Sequence, residues 1–193
     1  VGQTVTFVLE KDLPLDKLQF ILNSILPKDI RIFDAFFVSE TFHPSLDALK
    51  KEYVYSIETN EIQLPFDRFT SWHYPYKLNK QAMQEGANLL IGRKDFKAFQ
   101  NSGVEKISTI REIEAISIEG ESFYHFTLIG NSFLYKMVRN IVGTLVYIGC
   151  GKLKVSDLEK ILTSNLRENA GVCAPPHGLT LKRVYYDFNL HKG

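Results

Sequence analysis

At 193 residues, 45% of them hydrophobic, the chain is long enough for one sizeable domain or two small ones and has the composition of an ordinary soluble protein. Its 23 Lys and Arg balance 22 Asp and Glu, so whole-chain charge points to no polyanionic partner and any nucleic-acid site must be a local patch. Cys150 and Cys173 form no C-x-x-C pair, which leaves neither a zinc site nor a disulfide framework and makes a reducing cytoplasm the simplest home. No apolar run approaches a membrane span, and the start lacks the basic and apolar regions of a secretory signal.

The chain opens on VGQTVTFVLE, which alternates like a strand already under way and leads us to expect further chain before Val1 in the natural protein. Leu15, Leu18, Leu22, Ile25 and Leu26 recur at helical spacing, with Pro14 in the first turn and Pro27 as a stop. IRIFDAFFVSE then reads as a strand, and LKKEYVYSIET as another in which Tyr53, Tyr55 and Ile57 share one face. EIQLPFDRFTSWHYPYK fits neither period, so its prolines and aromatics predict a loop that packs by its rings. LNKQAMQEGANLLIG predicts a helix using Ala82, Ala87, Leu89 and Leu90 and ending near Gly92.

IREIEAISIEG and SFYHFTLIG form an antiparallel pair around Gly120, with imperfect alternation that allows a bulge. A helix over 132–148 follows. VSDLEKILTS carries Ser156 and Glu159 in capping-box spacing, and LTLKRVYYDFNL closes the chain as a strand. There is no internal repeat and no flexible linker. Strands mixed with a few helices, without strict alternation, predict an α+β fold: a largely antiparallel sheet with helices on one side.

Within the helix expected over 132–148, the apolar residues Phe133, Leu134, Met137, Val138, Ile141, Val142, Leu145 and Val146 leave a strip of Lys136, Arg139, Asn140, Gly143 and Thr144. Two readings are open. The strip is the wet side of an amphipathic helix, or Arg139 lies over a cleft and meets an anion, because a half-buried guanidinium is costly without a partner.

The segment GNSFLYKMVRNIVGTLVYIGCGK resembles the strongest signature of the TruA-type tRNA pseudouridine synthases, and the likeness runs along the whole chain. VGQTVTF resembles the segment just after that family's catalytic motif, LNSILPKDIRI its Leu-Asn-x-x-Leu-Pro-x-Asp-Ile element, and ALKKEYVYSI its Lys-x-Tyr-x-Tyr strand. DFKAF is similar to its Asp-Phe-x-x-Phe element and APPHGLTLKRVYY to its Ala-Pro-Pro-x-Gly-Leu tail. The resemblance implies the pseudouridine-synthase fold, a mainly antiparallel mixed sheet flanked by helices. It implies isomerisation of uridines in the tRNA anticodon arm, around positions 38 to 40, with no metal and no organic cofactor. It further implies a homodimer with one tRNA lying across both subunits.

Carried over residue by residue, Tyr53 matches the family's tyrosine against the flipped base, though on its own it also reads as a packed strand aromatic. Arg139 matches the arginine that pairs with the catalytic aspartate, Leu179 the apolar wall of the uracil pocket, and Lys51 a basic position able to hold a phosphate. With Asn140 beside Arg139, these make up the expected substrate contacts.

The family's Arg-Thr-Asp motif is not in this chain: its aspartate is expected about six residues before Val1, and Asp34, Asp47 and Asp95 read as strand-end, loop and turn residues. Residues 1–41 are then the end of an N-terminal RNA-binding and catalytic subdomain and 42–193 a C-terminal catalytic one, and this chain alone is expected to be inactive. A second departure is Pro44 and Ser45 in FHPSLDA, where the family commonly has Phe-x-Ala-Arg and a basic contact. His43, His73, His125, His177 and His191 have no metal-ligand spacing. Arg93, Lys94 and Lys97, with Lys182 and Arg183, are candidates for one phosphate-binding strip. The alternative function is a non-catalytic RNA-binding module on the same fold. A small-molecule enzyme has no support, since there is no Gly-rich phosphate loop, nucleophile elbow or pair of acids.

Overall fold

Pro14 and Pro27 bracket the first helix as expected: α1 spans Leu15–Ile25, with Pro14 at its N-cap and an extended Leu26 after its end. The computed structural model describes residues 2–10, 13–103 and 108–187, and it divides into two compact units. One comprises Thr4–Ala48 with Tyr186 and Asp187; the other comprises Leu49–Tyr185 with the first residues of the chain.

In the first unit two expected strands are not strands. TVTFVLE and IRIFDAFFVSE lie in no ladder among the described residues. Side chains of α1 occupy the second segment's backbone instead: Asn23 Oδ1 accepts from the Ile32 N–H at 2.8 Å and Asn23 Nδ2 donates to the Ile32 carbonyl at 2.9 Å. Gln19 Nε2 donates to the Phe33 carbonyl at 2.8 Å. Aromatic and β-branched composition favours a pleated surface, but a strand exists only where a neighbour supplies the ladder. Phe42 is buried in this unit against the Tyr186 ring, edge to face at 5.2 Å between centroids.

The second unit is a six-stranded sheet. β1 (Lys50–Glu58) is central to the site. One of its edges pairs antiparallel with β5 (Phe123–Gly130), and the other pairs with β6 (Leu179–Tyr185) and, in parallel, with the short β2 (Trp72–His73). β4 (Ile110–Glu119) joins β5 through the turn at Gly120, and β3 (Gly92–Asp95) closes the far edge. The ladder slips between Ile113 and Ala115, which is the bulge that the broken alternation allowed. β2 lies inside the expected loop and β3 just past the expected helix end, both too short for a periodicity to show.

Among the described residues three α-helices belong to this unit: α2 (Lys80–Leu89), α3 (Met137–Gly149) and α4 (Asp157–Ser164). Asn79 Oδ1 caps α2 by accepting from the Ala82 N–H at 3.1 Å. At α4 the expected capping box is absent: Ser156 makes no cap bond, and Asp157 Oδ2 instead accepts from the Lys154 N–H at 2.9 Å. The sheet face bearing Tyr55, Ile57, Ile116, Ile118, Phe126 and Leu128 is the core, with α2 and α3 contributing Met83, Ile141 and Leu145. The opposite face carries Ser56, Ser117, His125 and Thr127.

α3 corrects the expected helix start and decides between the two readings of its polar strip. It begins at Met137, five residues later than expected, because Lys136 takes a left-handed conformation with φ 59° and ends the preceding turn. Its polar strip is not a wet face: Asn140, Gly143 and Thr144 are all buried, and only Arg139 and Tyr147 keep partial exposure along the helix. A helix buried on nearly every side needs internal partners for its polar groups, and the strip is where they are met.

Candidate active site

β1, α3 and the start of β6 converge on a cavity of about 110 Å³ lined by Tyr53, Leu179, Arg139, Lys136 and an apolar wall of Phe133, Leu134, Met137 and Val138. Tyr53 stands on the core face of β1, opposite Leu128 on one side and Leu181 on the other. The Phe133 ring meets it edge to face at 5.2 Å and fixes its orientation. Burial raises the Tyr53 phenol above its ordinary value of 10.0, so the hydroxyl is a neutral donor through the physiological range.

Arg139 reaches this cavity from the first turn of α3. Its Nε–H donates to the Ala174 carbonyl at 2.6 Å, and the Ala174 N–H donates back to the Arg139 carbonyl at 3.2 Å. Both ends of residue 139 are therefore tied to one strap, Gly171–Pro175. The terminal amino groups of the guanidinium have no partner among the described residues, and no Asp or Glu lines the cavity. A planar cation with its fork unused, set among apolar side chains, is a seat for a carboxylate.

The strap lies hard against α3. The Gly171 N–H donates to Thr144 Oγ1 at 2.9 Å, and Thr144 Oγ1 donates to the Asn140 carbonyl at 2.7 Å. Tyr55 anchors the strap's end, its hydroxyl donating to the Pro175 carbonyl at 2.7 Å, and from there the chain enters β6 at Leu179. Burial pushes the Tyr55 phenol up, against a smaller lowering by the nearby Arg139 cation.

The sequence-predicted residues sort cleanly. Tyr53, Arg139 and Leu179 meet in one cavity. Lys51 sits two residues before Tyr53 in β1, between Gly130 and Val184, and does not line it. Asn140 is fully buried and its amide is consumed inside the protein, donating to the Phe99 carbonyl at 2.7 Å and Asn101 Oδ1 at 2.8 Å, and accepting from Arg167 Nη2 at 2.8 Å. Each polar atom of its side chain is thus engaged inside the protein, and it does not line the cavity. Asn140→Leu should cost about 3 kcal/mol in urea unfolding, through the polar groups left unpaired, at unchanged RNA affinity. Phe133, Lys136 and Met137 escaped notice as lining residues because their spacing read as one continuous helix.

The proposed single basic strip is divided. Arg93, Lys94 and Lys97 lie at the β3 edge, Lys182 and Arg183 on β6, four strand spacings away or about 19 Å. Among the described residues no group of three His, Cys, Asp or Glu is placed to hold a metal, and no helix is long and apolar enough to cross a membrane. His191 lies outside the described residues.

With Tyr53, Tyr55 and Tyr124 all raised by burial, the folded state keeps phenolic protons that the unfolded chain releases. Stability is therefore full below the ordinary tyrosine value and falls as pH rises from about 10 through the higher folded values. Denaturant midpoints measured across that alkaline range should decline, and the decline should shrink in Tyr55→Phe.

Residues 87–187 match the sequence profile of a family described as tRNA pseudouridine synthase, and the mixed sheet with its flanking helices is the α+β architecture expected of it: the chain belongs to that family. The tRNA pseudouridine synthase A of Thermoanaerobacter sp. is 43% identical over 185 residues, spanning 95% of this chain and 76% of the relative. The protein named tRNA pseudouridine synthase A 2 in Protochlamydia amoebophila is 46% identical over 190 residues, spanning 96% of this chain and 72% of the relative. The tRNA pseudouridine synthase A of Bacillus pumilus is 39% identical over 187 residues, spanning 96% of this chain and 76% of the relative.

Proposed function

We propose that this chain is the larger part of a tRNA pseudouridine synthase that isomerises uridine in the anticodon arm, around positions 38 to 40, with its catalytic aspartate supplied from upstream of Val1. The observation that carries the proposal is Arg139: a guanidinium fixed by Ala174, opening its unused fork onto a cavity without a carboxylate. An aspartate seated there is held ionised and aimed.

The target base leaves the stack and enters the cavity, where Leu179 forms one wall and Tyr53 lies against it. The carboxylate starts the reaction, by attack on the sugar carbon or removal of a sugar proton. The bond from C1′ to N1 breaks, the base turns, a bond from C1′ to C5 forms, N1 gains a proton and the C5 hydrogen is lost to water. The atoms balance without oxidant, reductant or organic cofactor. Tyr53, neutral and within the cavity, is placed to relay the C5 proton, its oxygen accepting that proton as its own phenolic proton passes to water. Lys51, one register step along β1, is read as a contact to a neighbouring phosphate.

In this reading residues 1–41 end an N-terminal subdomain and 42–193 form the C-terminal catalytic one, the working enzyme is a cytoplasmic homodimer, and the 193-residue chain alone is inactive. The test is to map pseudouridine in tRNA exposed to the protein of the full natural reading frame. Modification confined to the anticodon arm supports the assignment. Binding of tRNA without modification favours the non-catalytic RNA-binding module.

A further inference from the structure

Arg167, in the 3-10 turn Arg167–Asn169, is a half-buried cation that pairs with no acid among the described residues. Its guanidinium donates only to neutral oxygens: Nη2 to Asn140 Oδ1 at 2.8 Å, Nη1 to the Gly171 carbonyl at 2.9 Å and Nε to Asn101 Oδ1 at 3.4 Å. These three acceptors lie on α3, on the strap and on the loop after β3. Asn140 directly follows Arg139, and Gly171 begins the strap that contains Ala174, the partner of Arg139 at both its Nε and its carbonyl. One guanidinium thus closes a ring of hydrogen bonds around the residue that faces the cavity.

We infer that Arg167 is a positioning residue for the reaction: it clamps the Gly171–Pro175 strap to α3 and so fixes the direction of the Arg139 fork and the place of Leu179. The inference rests on the function proposed above. The choice of arginine follows from geometry, since only a planar fork with five donors reaches three acceptors in different directions, whereas a lysine ammonium sits at a single point. A single carboxylate partner for Arg167 would fix charge but would not tie together three segments, here through two side-chain amide oxygens and one backbone carbonyl.

The test uses Arg167→Lys, which keeps the charge, with Arg167→Gln as a second variant should the first not fold. In this chain, nitrogen-detected NMR follows exchange of the Arg139 Nε proton, which the bond to the Ala174 carbonyl protects. We expect protection to fall at least about tenfold in Arg167→Lys, because the strap is released. In the full natural reading frame, kcat should fall about 100-fold with KM for tRNA within about twofold, the signature of misplaced chemistry at intact binding. Ile161→Val, a core change in α4, is the control for stability alone and should leave both readings unchanged. Retained Arg139 protection in Arg167→Lys, or equal losses in the control, overturns the inference. If the wild-type natural protein forms no pseudouridine, the proposed function falls, while the exchange measurement still decides whether Arg167 governs Arg139.

Discussion

Arg139→Met in the protein of the full natural reading frame should lower the single-turnover rate of uridine isomerisation by about 100- to 1000-fold, the usual effect of removing one fixed electrostatic partner from a water-poor site. The chain itself should fold: the side chain is half-buried and its only bond among the described residues is to the Ala174 carbonyl, so an apolar replacement of similar length restores the packing at the cost of one hydrogen bond. Arg139→Lys should do little better. A lysine keeps the charge but offers no second arm, so it cannot hold the strap through Ala174 and still present a fork to a carboxylate. Single-turnover kinetics at saturating enzyme separate this from a binding defect. Rates within about threefold of wild type for both variants would remove Arg139 from the chemistry.

Gly143→Ala should be the most damaging single change to stability in the region, at about 4 kcal/mol, beyond the common range for overpacking. A Cβ built on Gly143 would lie 1.7 Å from the Val172 carbonyl oxygen and 2.8 Å from its carbon, and backbone on both sides leaves nothing to rotate away. Relief requires separating α3 from the strap, which would also break the bonds of Thr144 to Gly171 and Arg139 to Ala174. For a chain of this size the melting temperature should drop by about 10 °C. Gly151→Ala is the contrast: the space beside it is open, its φ of 78° is the whole difficulty, and the cost should be about 1 kcal/mol. Equal melting temperatures for the two variants would mean that the strap does not approach α3 as described.

These residues also mark what could and could not be read in the chain. Strands with regular period and neighbours close in sequence were legible, as in the pair around Gly120, and so was the shared face of Tyr53 and Tyr55. The start of α3 was not, because a single left-handed residue at Lys136 leaves the apolar spacing intact while breaking the helix. The strip on α3 stayed open between two readings for a different reason: periodicity shows which residues share a face but not what covers it. Here the cover is a strap bonded to α3 residues 27 to 35 positions earlier in the chain, which no spacing within the helix could reveal. In the first unit the aromatic segment 30–40 had a strand's composition without a strand's partner. Of the candidate site residues taken from the resemblance, Tyr53, Arg139 and Leu179 line one cavity, while Asn140, next to Arg139 in sequence, is buried with its amide bonded inside the protein.

The most direct test is tritium release from tRNA carrying 5-tritiated uridine, because a bond from C1′ to C5 cannot form without expelling that hydrogen. The natural reading frame should be run beside the 193-residue chain. Release by the longer protein alone is the expected result and means that a group the reaction requires lies outside the 193 residues, as the proposed upstream aspartate would. Release by the shorter chain would contradict the upstream aspartate, and no release by either would contradict the isomerase itself.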